Sequence, residues 1–223
     1  MASNVAYLHA GELPETLPVF PLPGALLLPR GQMPLNIFEP RYLAMIDAAL
    51  RGDRLIGMIQ PDASAAGTIG LLPLYQVGCA GRITQFAETG DGRYLIQLTG
   101  ICRFRLVEEI PSETLFRQAR VDFHAFGTDL EVRRGEERVK RQALIDALRS
   151  FSEANRLEID WDNIHAAPNE ALVNALSMMA PFGVAEKQAL LEAPDLESRA
   201  DMLVALTEMD LARDGGDGGT RMQ

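Results

Sequence analysis

Residues 17–43, LPVFPLPGALLLPRGQMPLNIFEPRYL, contain the patterns that decide how this chain folds. Two short apolar runs, residues 26–28 and 35–38, lie between prolines and glycines, as buried strands do. Glu39-Pro40 then marks the start of a helix, because proline at the first helical position loses no hydrogen bond. Gly52 marks its end. This stretch therefore predicts a strand, a turn, a second strand and a helix.

The chain after this helix predicts further strands, including a clear hairpin. Residues 55–59 form another apolar run, and residues 77–87 and 93–108 flank the turn Thr89-Gly90-Asp91-Gly92. Apolar residues alternate along the second arm, which predicts one buried face. Burying the apolar faces of both arms sets Ile83 opposite Leu98 and Cys79 opposite Cys102, because a slip of one residue would exchange the faces. A less regular alternation over residues 116–126 predicts the last strand.

The two cysteines admit two interpretations. Directly opposed strand residues have Cβ atoms about 4.5–5.5 Å apart, which is near the range of a disulfide. Cys79 and Cys102 are therefore a candidate redox pair. The other interpretation, favoured by a reducing cytoplasm, is that both are reduced thiols filling small positions in the core.

After Gly127 the pattern changes to amphipathic helices. Helices are predicted over residues 131–155, 168–179 and 185–193, and a last one begins at the N-cap Asp195. We therefore expect an α+β protein with a β-rich part over residues 1–126, of which 1–15 form a flexible leader. An α-helical part follows over residues 127–212, and a disordered tail over 213–223, where glycine and polar residues dominate.

The distribution of charge argues against whole classes of partner. The net charge is −10, with 12 acidic and 10 basic residues up to residue 125 and 19 acidic and 11 basic residues after it. Neither half has the basic stripe that phosphate binding needs, so nucleic acid is not expected. The best local basic cluster would be Arg82, Arg103 and Arg105 on one outward sheet face. No run of ~18 apolar residues and no secretory signal occurs, which predicts a cytoplasmic protein without a membrane partner.

Motifs for catalysis are missing from the sequence. Its two lysines, Lys140 and Lys187, do not follow a glycine, so there is no P-loop, and G-x-S-x-G is absent as well. The three histidines are isolated, and two cysteines alone cannot make a structural zinc site. We therefore expect no enzyme, no cofactor and no metal. A hydrolase would need a nucleophile and a base that only the fold brings together.

Four segments occur in the order and rough spacing of the N-terminal domain of Lon proteases. They are residues 17–29, 34–50, 74–83 and 95–109, and the most specific is the second, with IFEPRY at 37–42. The chain thus resembles a stand-alone, bacterial-type member of the Lon substrate-binding domain family. The resemblance covers about residues 17–125, and the helices to about residue 212 suit the bundle that follows in that family.

The resemblance implies both a fold and a role. The implied fold is a PUA-like, twisted β pseudo-barrel carrying one helix, followed by an α-helical subdomain. In Lon this region helps to recognise unfolded protein segments, whereas separate ATPase and Ser-Lys protease domains unfold and cut them. Neither of those domains can be mapped here, nor can the zinc module of the related cereblon family. The resemblance therefore implies a binding module, acting as an adaptor or in protein quality control, and not a peptidase.

A module that binds extended or unfolded polypeptides, or a partner protein, needs an exposed apolar surface or an open sheet edge. The best candidate is an unusually apolar loop, with these residues: Ile69, Leu71, Leu72, Leu74 and Tyr75. In the alternative, these side chains fold back over the open end of the β-structure. Phe182, at the junction of the two parts, is a second candidate. No pattern predicts an oligomeric state.

The alternative function is that of an RNA-binding module, because PUA-like folds can bind RNA. The acidic balance argues against it, and so does the lack of aromatic residues interleaved with basic ones.

Overall fold

The computed structural model describes residues 6–65 and 72–217, and these contain six strands and six α-helices. The strands are β1 (Thr16–Pro21), β2 (Gln32–Ile37), β3 (Leu55–Ile59), β4 (Val77–Glu88), β5 (Tyr94–Ile110) and β6 (Arg117–Asp122). The helices are α1 (Pro40–Arg51), α2 (Arg141–Asn155), α3 (Trp161–Ala166), α4 (Asn169–Met179), α5 (Val184–Glu192) and α6 (Leu196–Asp217). The expected α+β class, with strands first and helices later, is confirmed.

The six strands form one sheet in the order β2-β5-β4-β3-β1-β6, and β6 also pairs with β5. β1 and β3 run parallel, whereas the other pairs are antiparallel. β5 has 17 residues, which lets its first part pair with β2 and its last part with β6. Strands β5, β4, β3, β1 and β6 therefore close a ring, and β2 extends the sheet outside it. This is the partly closed β-structure that was expected.

The β4–β5 hairpin confirms part of the predicted register and corrects the rest. Ile83 lies opposite Leu98, as predicted. Between Ala80 and Gly81 the register shifts, so that Cys102 lies opposite Ala80 and Cys79 lies opposite Arg103. The predicted opposition of the two cysteines is therefore wrong. Because successive side chains in a strand alternate between faces, this β-bulge places the two thiols on opposite faces of the sheet.

The apolar run Leu26–Leu28 is buried, but it is not a strand, so that prediction is also wrong. It passes across β5 at Gly100, whose carbonyl accepts from the Arg30 amide (2.8 Å) and whose amide donates to the Gly31 carbonyl (2.9 Å). A side chain at Gly100 would collide with the Leu28 backbone. Only glycine permits such a close approach of two backbones.

Helix α1 confirms the predicted start and end, since it runs from Pro40 to Arg51 and is followed by Gly52. It buries Tyr42, Met45, Ile46 and Ala49. Glu39 stands at the N-cap position but its side chain caps no helix amide. Its carboxylate instead pairs with Arg41 at 2.8 Å.

The chain divides into two compact units, and the division differs from the expected ranges 1–126 and 127–212. Unit 1 extends to Val132 and also takes Phe182–Leu191, which carries most of α5. Unit 2 comprises Arg133–Pro181 and the chain from Glu192 onward. Segment 182–191 belongs to unit 1 because α5 is bonded there, for example through the Gln188 amide donating to the Val77 carbonyl (3.1 Å).

Unit 2 is built from α2, α3, α4 and α6. Two of its helices, α3 and α6, are capped by a side chain: the Asp160 carboxylate accepts from the Asn163 amide (3.1 Å), and the Asp195 carboxylate accepts from the Ser198 amide (2.8 Å). The second of these is the predicted N-cap of the last helix. Lys140 and Asp201 form an ion pair at 2.8 Å. The predicted helical part is thus present.

The two ends of the chain differ in part from expectation. Leu13 is buried, and the Glu15 carbonyl accepts from the Val121 amide (2.8 Å), so the end of the expected leader is part of unit 1. Helix α6 continues to Asp217, into the expected tail 213–223. Residues 1–5 and 218–223 lie outside the described chain.

Candidate polypeptide-binding surface

The predicted binding loop leaves unit 1 from a base that backbone hydrogen bonds close. Pro61 and Leu74 form an isolated antiparallel bridge. Next to it, the Asp62 amide donates to the Pro73 carbonyl (2.8 Å) and the Tyr75 amide donates to the Gln60 carbonyl (3.0 Å). Ile69 and Leu71, two of the predicted site residues, lie outside the described residues.

The loop residues that are described divide into an exposed and a buried group. Leu72 is 58% exposed, whereas Leu74 is buried and Tyr75 is half-buried. The Leu72 carbonyl accepts from the Arg117 guanidinium (3.1 Å), which the Glu109 carboxylate holds in turn (2.7 Å). Leu74 therefore belongs to the core, and Leu72 presents an apolar side chain at an anchored position.

Gln60 ties the base of the loop to α5, and sequence reasoning missed it. Its side-chain amide donates to the Val184 carbonyl and to the Gln188 side chain, both at 3.1 Å. Its side-chain oxygen accepts from the Gly24 amide (2.9 Å). A lone glutamine after an apolar run carries no sequence signal for this role. Phe182, the other predicted site residue, is half-buried at the start of the same segment, 182–191.

A buried ion pair replaces the expected basic surface cluster. Arg103 is 3% exposed, and its guanidinium donates twice to the Asp129 carboxylate (both 2.8 Å) and once to the Leu191 carbonyl (3.0 Å). Arg82 is buried as well, with its guanidinium 4.8 Å from the centre of the Tyr7 ring. Only Arg105 of the three arginines is exposed, so the predicted outward cluster is wrong.

The two cysteines are buried, and neither is in a disulfide. The Cys102 thiol donates to the Phe126 carbonyl (3.3 Å). Burial, together with the negative charge of Asp129, raises the pKa of Cys102 to about 12. A thiol with such a pKa is a poor nucleophile at neutral pH.

The exposed positions of β2, of residues 84–87 in β4 and of residues 95–99 in β5 carry no charged side chain, a feature that sequence reasoning also missed. Paired positions along these strands are exposed or half-exposed; they are Gln32, Pro34, Asn36, Leu95, Gln97, Thr99, Gln85 and Ala87. Thr84, in the bulge of β4, and Phe38, directly after β2, are exposed beside them. We call these ten residues the uncharged face. The sequence signal for this face is that the outward positions in the alternation along β5, Leu95, Gln97 and Thr99, are all uncharged.

Two further findings concern the described residues only. In residues 6–65 and 72–217, no group of three or more His, Cys, Asp or Glu side chains could hold a metal ion. None of the helices described there has both the length and the apolar character needed to cross a bilayer.

A partly closed six-stranded sheet followed by helices is the architecture of Lon N-terminal domains. The Lon N-terminal domain protein from Xanthomonas campestris has a TM-score of 0.58 at 20% identity, covering 85% of this chain and 97% of that one. The N-terminal domain of the Mycobacterium avium complex Lon protease has a TM-score of 0.59 at 18% identity, covering 86% and 98%. These similarities show the fold.

The family model for the ATP-dependent protease La (LON) substrate-binding domain matches residues 16–208, so the chain belongs to this family. Lon protease 2 of Myxococcus xanthus is 28% identical over 204 residues, 87% of this chain and 24% of that protein. The Lon protease of Cytophaga hutchinsonii is 26% identical over 204 residues, 90% and 25%. The chain therefore spans about a quarter of the length of these relatives.

Proposed function

We propose that this protein binds extended or unfolded segments of other proteins and performs no catalysis itself. The observation that carries the proposal is Leu72, an apolar side chain that is 58% exposed in an apolar loop. Exposing such a residue costs hydrophobic free energy that folding would otherwise recover, and exposed apolar surface is commonly an interaction site. Membership of a substrate-binding domain family supports the same function.

The construction of the loop base supports a binding role. Arg117 holds the Leu72 carbonyl on one side, and Gln60 bonds to Tyr75 on the other. An anchored apolar residue loses little conformational freedom when a ligand covers it, which lowers the cost of binding. Tyr75, half-buried beside this base, offers a ring whose polar end can remain in water.

The wider role that we propose is that of an adaptor or a quality-control factor in the cytoplasm. Its ligands would be unfolded chains or a partner protein bearing an apolar segment. No observation favours the RNA-binding alternative, because Arg82 and Arg103, two of the three arginines on which it relied, are buried.

The test compares binding of fluorescently labelled β-casein, an unfolded protein, by the natural chain and two variants. Leu72→Ser removes the exposed apolar group of the loop, and Leu157→Ser removes a comparably exposed leucine (52%) from unit 2. We expect saturable binding in fluorescence anisotropy, weakened about 5- to 30-fold by Leu72→Ser. Leu157→Ser should leave it unchanged. Absence of saturable binding, or an equal loss in both variants, would refute the proposal.

A further inference from the structure

One side chain of α5, that of Gln188, bonds to both ends of the candidate binding loop. Gln60 directly follows β3 and Val77 begins β4, so these two residues flank the loop. The Gln188 side-chain oxygen accepts from the Gln60 side-chain amide, and the Gln188 side-chain amide donates to the Val77 carbonyl, both at 3.1 Å. A residue from a distant part of the chain therefore joins the two ends at which the loop leaves the sheet.

A glutamine suits this position for a chemical reason. Its carboxamide carries a donor and an acceptor at the same end, so it serves the Gln60 amide and the Val77 carbonyl at once. A lysine side chain can only donate, and an ionised glutamate can only accept. Gln60 and Gln188 are 1% and 3% exposed, so water does not replace a bond that is lost between them.

The backbone of the loop base depends on the residue that Gln188 holds. The Gln60 carbonyl accepts from the Tyr75 amide (3.0 Å), and the next residue, Pro61, forms the isolated bridge to Leu74. The exposed Leu72 lies two residues before Leu74. The position of Gln60 therefore determines the geometry of the loop base close to the exposed leucine.

We propose that Gln188 is a positioning residue for polypeptide binding, an inference that rests on the function proposed above. It acts through Gln60 and Val77 and not by contact with the ligand, and it keeps the loop in the arrangement that presents Leu72. A site that is ordered before binding loses less conformational entropy when the ligand arrives, so its affinity is higher. Without the Gln188 side chain the loop base opens more often, and the affinity for unfolded polypeptide falls.

The place of Gln188 in the chain supports this role. It lies in segment 182–191, which begins with Phe182, the other candidate site residue. Gln60 also donates to the Val184 carbonyl (3.1 Å), two residues after Phe182. The two glutamines therefore connect the two parts of unit 1 for which sequence reasoning predicted contact with a ligand.

The test variant is Gln188→Met, because methionine is unbranched and of similar length but lacks the carboxamide. Gln188→Asn, whose amide is one methylene shorter, takes its place if circular dichroism shows that Gln188→Met is not folded. The controls, Ile83→Val and Ile83→Ala, remove buried carbon atoms six residues along β4 from Val77, about 20 Å away. The control whose urea midpoint is closer to that of the Gln188 variant is used for comparison.

Amide hydrogen exchange, followed by NMR spectroscopy of the folded proteins, reports on the loop base directly. The Tyr75 amide, which donates to the Gln60 carbonyl, should exchange about tenfold faster in the Gln188 variant than in the natural chain. In the matched Ile83 control it should exchange less than about threefold faster, because opening of the loop base is local. An equal increase in both variants would assign the effect to global stability and overturn the inference.

Fluorescence anisotropy with labelled β-casein gives the second readout. The Gln188 variant should bind about 3- to 10-fold more weakly than the natural chain, whereas the matched Ile83 control should bind as the natural chain does. Unchanged affinity in the folded Gln188 variant would overturn the inference and leave the proposed function standing. If the natural chain itself does not bind β-casein, the proposed function fails first, and the positioning role for binding fails with it.

Discussion

Two regions of unit 1 place charge in opposite ways. The interior around Arg103 holds a full ion pair, with the Asp129 carboxylate 2.8 Å from the guanidinium and both side chains buried. The uncharged face, on the surface of the same sheet, holds none. Charge usually lies outside and apolar groups inside. The exceptions therefore need separate physical explanations.

The interior pair joins three distant parts of the chain. Arg103 lies in β5, Asp129 in the 3-10 turn His124–Leu130, and the Leu191 carbonyl at the end of segment 182–191. Fixed geometry and complete hydrogen bonding are what make a buried charge tolerable. The uncharged face differs from this pair, because its amides and hydroxyls can both donate and accept and therefore fit several hydrogen-bonding arrangements. The comparison indicates a rigid scaffold that carries an adaptable surface.

The strongest test of the comparison removes the interior anion. Asp129→Ala leaves Arg103 charged and buried without its carboxylate, so we expect a loss of about 3–5 kcal/mol in the free energy of unfolding. Urea denaturation at pH 7 measures it. Glu108→Ala, which breaks the exposed pair between Glu108 and Arg120 (3.0 Å), is the control and should cost no more than about 1 kcal/mol. Equal losses would mean that the interior pair has no special role.

A second test uses the same residue type in both regions. Gln60→Ala leaves the Gly24 amide, the Val184 carbonyl and the Gln188 side chain short of a buried partner, so we expect a loss of about 1–3 kcal/mol. Gln97→Ala removes an amide from the uncharged face and should change stability by less than about 0.5 kcal/mol. The same urea titrations apply. A costly Gln97→Ala would show that the face contributes to the fold.

Lys187 gives a smaller, pH-dependent test of interior charge. Burial lowers the pKa of Lys187 to about 8, below the ~10.4 of an unfolded lysine. Between these values the unfolded chain binds a proton that the folded chain does not, so stability rises with pH there. The gain is lost as pH falls through about 8.

The measurement compares urea unfolding of the natural chain and Lys187→Met from pH 7 to 10. Deprotonation of Cys102 in the unfolded state lowers stability toward alkaline pH, but it does so equally in both proteins. The difference between the two curves therefore isolates Lys187. We expect the natural chain to gain stability relative to the variant above pH 8. Parallel curves would show that Lys187 titrates normally.

The smallest expected effect concerns the two buried thiols, Cys79 and Cys102, and it decides whether they can act as a redox pair. Their placement on opposite faces of the sheet predicts that mild oxidant forms no Cys79–Cys102 disulfide in the folded protein. Titration with a thiol reagent should find slow reaction in the native state and two thiols after unfolding, with or without prior oxidation. Loss of both thiols after oxidation of folded protein would support the redox pair instead.

Local patterns predicted what local physics decides. Pro40 and Gly52 delimit α1, and the alternation of β5 sets Ile83 opposite Leu98. Each of these features depends on backbone geometry within a few residues or on one buried face. The loop was predicted from its apolar composition, and the described part of it has both exposed and buried leucines.

Features that depend on distant parts of the chain could not be predicted. The bulge that separates Cys79 from Cys102 has no local signal, and the run Leu26–Leu28 lacks a strand partner because it crosses β5 at Gly100. The sequence predicts that Arg103 is exposed, because it does not show that the carboxylate of Asp129, 26 residues away, pairs with it. Gln60 and Gln188 are 128 residues apart.

The membership of residues 182–191 in unit 1 has a consequence for biosynthesis. A ribosome that has made the chain to Val132 has produced six strands but not Gln188 or the Leu191 carbonyl. About 60 more residues must be added, which takes roughly 3–12 s at 5–20 residues per second. During that interval Gln60 cannot yet bond to Gln188, and Arg103 cannot yet bond to the Leu191 carbonyl. The β-structure of the nascent chain is therefore incomplete at this stage, which is when binding by a chaperone would protect it most.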